Sequence, residues 1–220
     1  MTMKEQLDPD SFIITRKRKL YKFAKFHNAE NCFEFDEWSR RAVDIVEIGA
    51  GDGLFSVELA TRYPDLSFVA IDVKADRLQK GAQEATSRGL YNISFLRARA
   101  DQIDEAIELQ SVKQLWVTFP DPFPKKRSAG RRLTHPTFLN KYQRILAPGG
   151  SLYLKHDNPT FFNWSLEQLV LGSWTIRELS FDLHESEVSD DYRIKTSYEK
   201  RWLNEGLVMN FVRAELPSHS

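Results

Sequence analysis

Carboxylates recur where apolar runs of this 220-residue chain stop. The run ending Val46-Glu47-Ile48 meets the loop Gly49-Ala50-Gly51-Asp52-Gly53, the next ends in Asp72, and later ones end at Arg99-Ala100-Asp101, Asp121 and Asp157. Glycines at every second position allow a tight turn and let a ligand lie against bare backbone. The loop is neither G-x-x-x-x-G-K-[ST] nor G-x-G-x-x-G. It lacks a lysine to hold phosphate, and Glu47 would repel one, so its ligand should be neutral or cationic near the glycines. Asp72, 25 residues after Glu47, is spaced to accept both hydroxyls of a ribose. A ribose-bearing cation points to S-adenosylmethionine; a helix-capping glycine loop without ligand is the plainer alternative.

A second constellation is Phe119-Pro120-Asp121-Pro122-Phe123-Pro124 followed by Lys125, Lys126, Arg127, Arg131 and Arg132. Three prolines in five residues fix φ and remove donors, making a stiff ridge that holds Asp121 at a set distance from the ligand. The bases after it suit phosphates. Arg16, Lys17, Arg18, Lys19, Lys22 and Lys25 form another basic block, which either folds over phosphates or frays. The 31 basic and 31 acidic residues cancel, but their segregation leaves a basic face for a polyanion. His27, His135, His156 and His184 lack ligand spacing, so no metal site is expected, and His156 suits a local hydrogen bond. Tyr192, Tyr198, Trp164 and Trp174 are expected in the core or on a sheet face.

These residues need a frame. Strands are expected over 43–48, 67–71, 93–96, 115–119 and 151–155, with helices over 54–62, 75–88, 103–109, 138–146 and 161–171. Longer stretches at 174–183 and 208–214 suit antiparallel pairing. Such alternation argues for a doubly wound sheet, whose ligands lie beyond the carboxyl ends of the strands. One cysteine, Cys32, excludes an intramolecular disulfide framework and a cysteine zinc cage. At 41% hydrophobic and 28% charged residues, with no apolar run of about 20 and a polar start, the chain is expected to be cytoplasmic.

The VEIGAGDG loop, the FPDPFPKKR…RRL block, LKHDN at 154–158 and TSYE at 196–199 together resemble the bacterial tRNA (guanine-N7-)-methyltransferase family, over residues 30–215. The glycine loop alone indicates only a class I methyltransferase; the proline-rich Asp block with TSYE is specific. The resemblance implies a Rossmann-like α/β fold: a mostly parallel, seven-stranded sheet with helices on both faces and an antiparallel C-terminal strand. Residues 31–220 would form this domain, after a basic segment 1–30. It implies S-adenosyl-L-methionine as cofactor, tRNA as partner, and N7 methylation of the variable-loop guanosine, in a monomer or homodimer. Glu47, Gly49, Gly51, Asp72 and Asp121 match cofactor-binding positions, with Asp121 also catalytic. Lys125, Asp157, Thr196, Ser197, Tyr198 and Glu199 match substrate-binding positions, and Lys126, Arg127, Arg131 and Arg132 would meet tRNA phosphates. The chain departs from the pattern at Arg99, where an acid is usual beside the adenine. Either Asp101 takes that role, or backbone and packing do. Phe123 replaces a tryptophan, and Ser128 and Gly130 replace a histidine and a lysine. Asp121 or Glu199 would accept from the guanine N1–H and N2–H edge. A different RNA guanine, a small-molecule substrate, and a non-catalytic RNA-binding module on this scaffold are the other readings.

Overall fold

Alternate residues of the apolar runs serve opposite faces of one sheet. In the computed structural model, which describes residues 6–8 and 17–216 (backbone only for 17–20), the strands are β1 (Cys32–Glu34), β2 (Ile45–Ile48), β3 (Phe68–Asp72), β4 (Ile93–Arg97), β5 (Val112–Thr118), β6 (Leu146–His156), β7 (Thr175–Ser180) and β8 (Asn210–Glu215). Their order is β1-β4-β3-β2-β5-β6-β8-β7. The sheet therefore has eight strands, not seven. The additional one, β1, pairs parallel with β4 through three residues, too short to register as an apolar run. β8 lies antiparallel between β6 and β7, so it alone runs against the others.

One core layer holds Val46, Ile48, Val69, Ile71, Leu115 and Val117 against α4 (Ile103–Ala106), α5 (Pro136–Ile145) and α6 (Pro159–Leu171). The opposite layer holds Ile45, Phe68, Phe95, Trp116, Tyr153 and Phe211 against α1 (Lys17–His27), α2 (Leu54–Arg62) and α3 (Ala75–Ser87). The period-two alternation of β2 and β5 thus feeds both layers. α2 matches its expected bounds, since Tyr63-Pro64 stops it. An unexpected helix, α7 (Ser197–Asn204), begins at a capping box: Thr196 Oγ1 accepts from Glu199 N, and Glu199 Oε2 from Thr196 N. Of the first basic block, Arg16 and the side chains of residues 17–20 lie outside the described residues. Among the described residues, no helix is long and apolar enough to cross a membrane.

Chain order reverses at β2: β3 and β4 lie on one side, β5 and β6 on the other. The crevice beyond the carboxyl ends of β2 and β5 is where such a sheet receives a ligand.

Candidate active site

At that crevice the backbone of residues 49–53 turns through positive φ at all three glycines, 71°, 60° and 69°. A Cβ on Gly49 would come within 2.9 Å of Leu133 and one on Gly53 within 2.7 Å of Phe95, whereas at Gly51 it would meet nothing within 4 Å. Gly51 is thus bare backbone facing open space. Its N–H donates to Asp72 Oδ2 at 2.9 Å, and Lys74 N–H donates to Oδ1 at 2.9 Å. Each Asp72 oxygen keeps a lone pair for a further donor. Burial raises the Asp72 carboxyl above its ordinary value, against the pull of those two N–H groups.

A cavity of about 520 Å³ is lined by Gly49, Asp72, Asp101, Phe119, Asp121 and Phe138, among others. Asp121 is exposed, and among the described residues no side chain hydrogen-bonds it. Its ridge is held firmly. Phe119 and Phe123 have positive φ, 49° and 40°, conformations that cost a non-glycine residue free energy and need support. Arg132 provides it: Nε donates to Pro122 O at 3.1 Å, Nη2 donates to Phe123 O at 3.1 Å, and the guanidinium lies 4.3 Å from the Trp164 ring. Arg132, expected at a phosphate, is 8% exposed and faces inward, because two carbonyls without helix or sheet partners need donors. Lys125, Lys126, Arg127 and Arg131 remain on the surface.

His156 holds the ridge from the other side. Its Nδ1 accepts from Asn158 N–H at 2.8 Å, which leaves the proton on Nε2 to donate to Pro120 O at 2.9 Å. This ties Pro120 to the end of β6, beside Asp157. Arg99 and Asp101 pair with each other at the rim, 2.9 Å apart, and the guanidinium holds the Asp101 carboxyl below its ordinary value.

Beneath the crevice, β2, β5 and β6 present a row of polar groups. Glu47 is 1% exposed; Ser56 Oγ donates to its Oε2 and Thr118 Oγ1 to its Oε1, both at 2.6 Å. Burial pushes this carboxyl up to about 7, against both hydroxyls. Next along, Lys155 Nζ donates to Glu199 Oε2 at 2.7 Å and to Ile194 O at 2.8 Å, with Phe119 and Phe55 rings beside it. Both members of that pair are fully buried. Burial draws the Lys155 ammonium below its ordinary value while Glu199 opposes the shift. His184 Nε2 lies 2.8 Å from Glu199 Oε1.

Glu199, expected at the substrate, therefore spends its carboxylate on Lys155, His184 and Thr196 N. Its neighbours open onto the crevice instead: Thr196 and Tyr198 line a small cavity over Glu47, Gly51 and Phe119. Ser197 Oγ donates to Asp52 Oδ2 at 2.8 Å. Tyr198, expected in the core or on a sheet face, is 45% exposed in the crevice. Sequence reasoning missed Thr118, Ser56 and Lys155. Thr118 had a signal, since it lies at the end of β5 two residues beyond Trp116, on the Glu47 side of the sheet.

A family model described as a putative methyltransferase matches residues 41–211. The tRNA (guanine-N(7)-)-methyltransferase of Cytophaga hutchinsonii is 36% identical over 174 residues, covering 78% of this chain and 79% of that protein. The tRNA (guanine-N(7)-)-methyltransferase of Bacteroides thetaiotaomicron is 31% identical, covering 91% and 86%. Among solved structures, the 16S rRNA methyltransferase KamB is similar at a TM-score of 0.60 and 18% identity, over 83% of this chain and 90% of that one. The 16S rRNA (adenine(1408)-N(1))-methyltransferase of Catenulisporales acidiphilia gives 0.56 and 16%, over 100% and 97%. These two likenesses concern the fold alone.

Proposed function

The chain belongs to the tRNA (guanine-N(7)-)-methyltransferase family, and from that premise we propose that it methylates guanine N7 in tRNA, at the variable-loop guanosine, using S-adenosyl-L-methionine. The observation that carries this reading is the free carboxylate of Asp121, fixed on a clamped ridge at the mouth of a cavity that Asp72 and Gly49 also line, with Asp72 holding the Gly51 N–H of the adjoining loop.

The donor set fits the cofactor. Asp72 has lone pairs for ribose hydroxyls, Gly51 leaves room for close approach, and Glu47 favours a cation when ionised. When bound, S-adenosyl-L-methionine supplies a methyl group on a sulfonium, and guanine N7 offers an in-plane lone pair. That nitrogen carries no proton, so the chain needs no strong general base there. Its residues act by alignment and field. Asp121 accepts from the guanine N1–H and N2–H edge, which turns N7 toward the cofactor and offsets the charge gained by the product. Tyr198 and Thr196 wall the base, Lys125 and Asp157 lie toward the substrate, and Phe119 and Phe138 keep water from the cavity. Lys126, Arg127 and Arg131 meet phosphates. Asp101, paired with Arg99, stands on the adenine side. Residues 31–220 form the catalytic unit in this reading, acting in the cytoplasm as a monomer or homodimer.

The test uses labelled S-adenosyl-L-methionine and tRNA transcripts with guanine or adenine in the variable loop, with methylated sites mapped by cleavage at N7-methylguanine. Label should enter only the guanine transcript, at that position. D121A should lose about 10²-fold or more in kcat/KM, the scale of removing one preorganised partner. Label in neither transcript would refute the substrate; near-normal turnover by D121A would refute the orienting role.

A further inference from the structure

A second basic surface lies behind the wall of the crevice. A groove of about 490 Å³ runs between α2, α3 and residues 193–200, and its lining includes Arg62, Arg88, Arg193, Lys195 and Lys200 against the carboxylates Glu58 and Glu84. Those acids are engaged: Arg88 pairs with Glu58 at 2.9 Å and with Glu84 at 2.8 Å, while Arg62 pairs with Asp191 at 2.8 Å. Lys195 and Lys200 are exposed, and among the described residues neither has an ion-pair partner. Arg193 pairs with Asp190 at 3.3 Å, so the unmatched positive charge of the groove is that of Lys195 and Lys200.

Its position gives that charge a use. Leu54 and Ser197 line the groove, whereas their chain neighbours Phe55 and Tyr198 line the small cavity over Glu47. Crevice and groove are therefore back to back, separated by the first turns of α2 and α7, which Ser197 and Asp52 join. A base seated against Tyr198 must lead its backbone over this wall. The larger cavity of the crevice is lined by Asp121, Phe123 and Arg131 of the ridge and basic loop, so cations flank the site on both sides.

We propose that this groove is a second phosphate-binding track, which takes the RNA strand leaving the target nucleotide on the side away from the basic loop. The inference rests on the RNA-methyltransferase reading above and adds where the strand runs. Contacts to phosphate position RNA without reading its sequence, and each one releases a counterion.

The experiment is a salt series of tRNA affinity for the full chain, for K195A/K200A, and for K113A. Lys113 is exposed near the amino end of β5, at the far end of that strand from the crevice. The plot of log affinity against log salt should become shallower by about two in K195A/K200A, one for each phosphate that the alanines leave without its cation. K113A should run parallel to the unaltered chain, and S-adenosyl-L-methionine affinity should be equal in all three. If the alanine pair lost cofactor affinity, K195Q/K200Q supplies the reading instead. An unchanged slope in a protein that still methylates tRNA overturns the groove alone, as does an equal flattening in K113A. A chain that neither binds nor methylates tRNA overturns the RNA reading and the groove together.

Discussion

Glu47 combines burial, two hydroxyl donors and a pKa near 7. In the unfolded chain the group titrates near 4.5, so between about 4.5 and 7 the folded state binds the extra proton. Stability then falls as pH rises through that window, by up to about 3 kcal/mol, and is level on either side. Glu47→Gln, which cannot ionise, should remove this slope; denaturation midpoints from pH 4 to 8 would show it, and an unaltered slope would assign the titration elsewhere. At this scale the strand-end acids were legible, because polar side chains ending apolar runs stand out. The direction each long side chain takes was not. Arg132 sits in a run of cations whose sequence looks uniformly suited to phosphate, yet the carbonyls of Pro122 and Phe123, which lack helix or sheet partners, draw it inward. Glu199 was legible as a member of a motif and illegible as a buried ion, since its partner Lys155 lies 44 residues away.

The elements that position these residues depend on few contacts. α7 is one such case: eight residues, SYEKRWLN, of which only Glu199 is buried. Its apolar pattern is too weak for a periodicity argument. The available signal was local, a Thr and a Glu three residues apart in a capping box. Tertiary support comes from the pair of Lys155 and Glu199, which anchors the helix start to β6. Removing one partner of a buried pair leaves an uncompensated charge, costing about 3–5 kcal/mol. Lys155→Met should therefore destabilise by that amount, whereas K155M/E199L should cost less than the sum of the single changes. Urea denaturation of the four proteins would measure the coupling, and strict additivity would contradict it. α2, by contrast, was legible to both ends, with glycine before it and proline after.

For the molecule as a whole, strand–helix alternation was enough to read the parallel sheet and to find the crevice at its switch of chain order. It was not enough to count the strands, because β1 contributes three residues at an edge and carries no alternation of its own. β8 sets the integrity of the fold. It pairs with β6 along six residues and with β7 on its other side, and it brings Phe211 and Val212 into opposite core layers. A chain stopped after Leu207 should lack a cooperative thermal transition and precipitate. Recovery of folded protein that still binds S-adenosyl-L-methionine would show β8 to be dispensable.

The place of β8 also bears on the order of events during synthesis. Every residue of the crevice, from Glu47 to Tyr198, leaves the ribosome before β8 does. Until then β6 is the edge of the sheet and β7, which pairs with β8 alone, has no strand to join; β6 offers its unpaired backbone to any other strand. A message cut short before codon 210 would encode all the chemistry and no finished frame to hold it. Translation that stops early is therefore expected to yield a product open to proteases, not a partly competent enzyme.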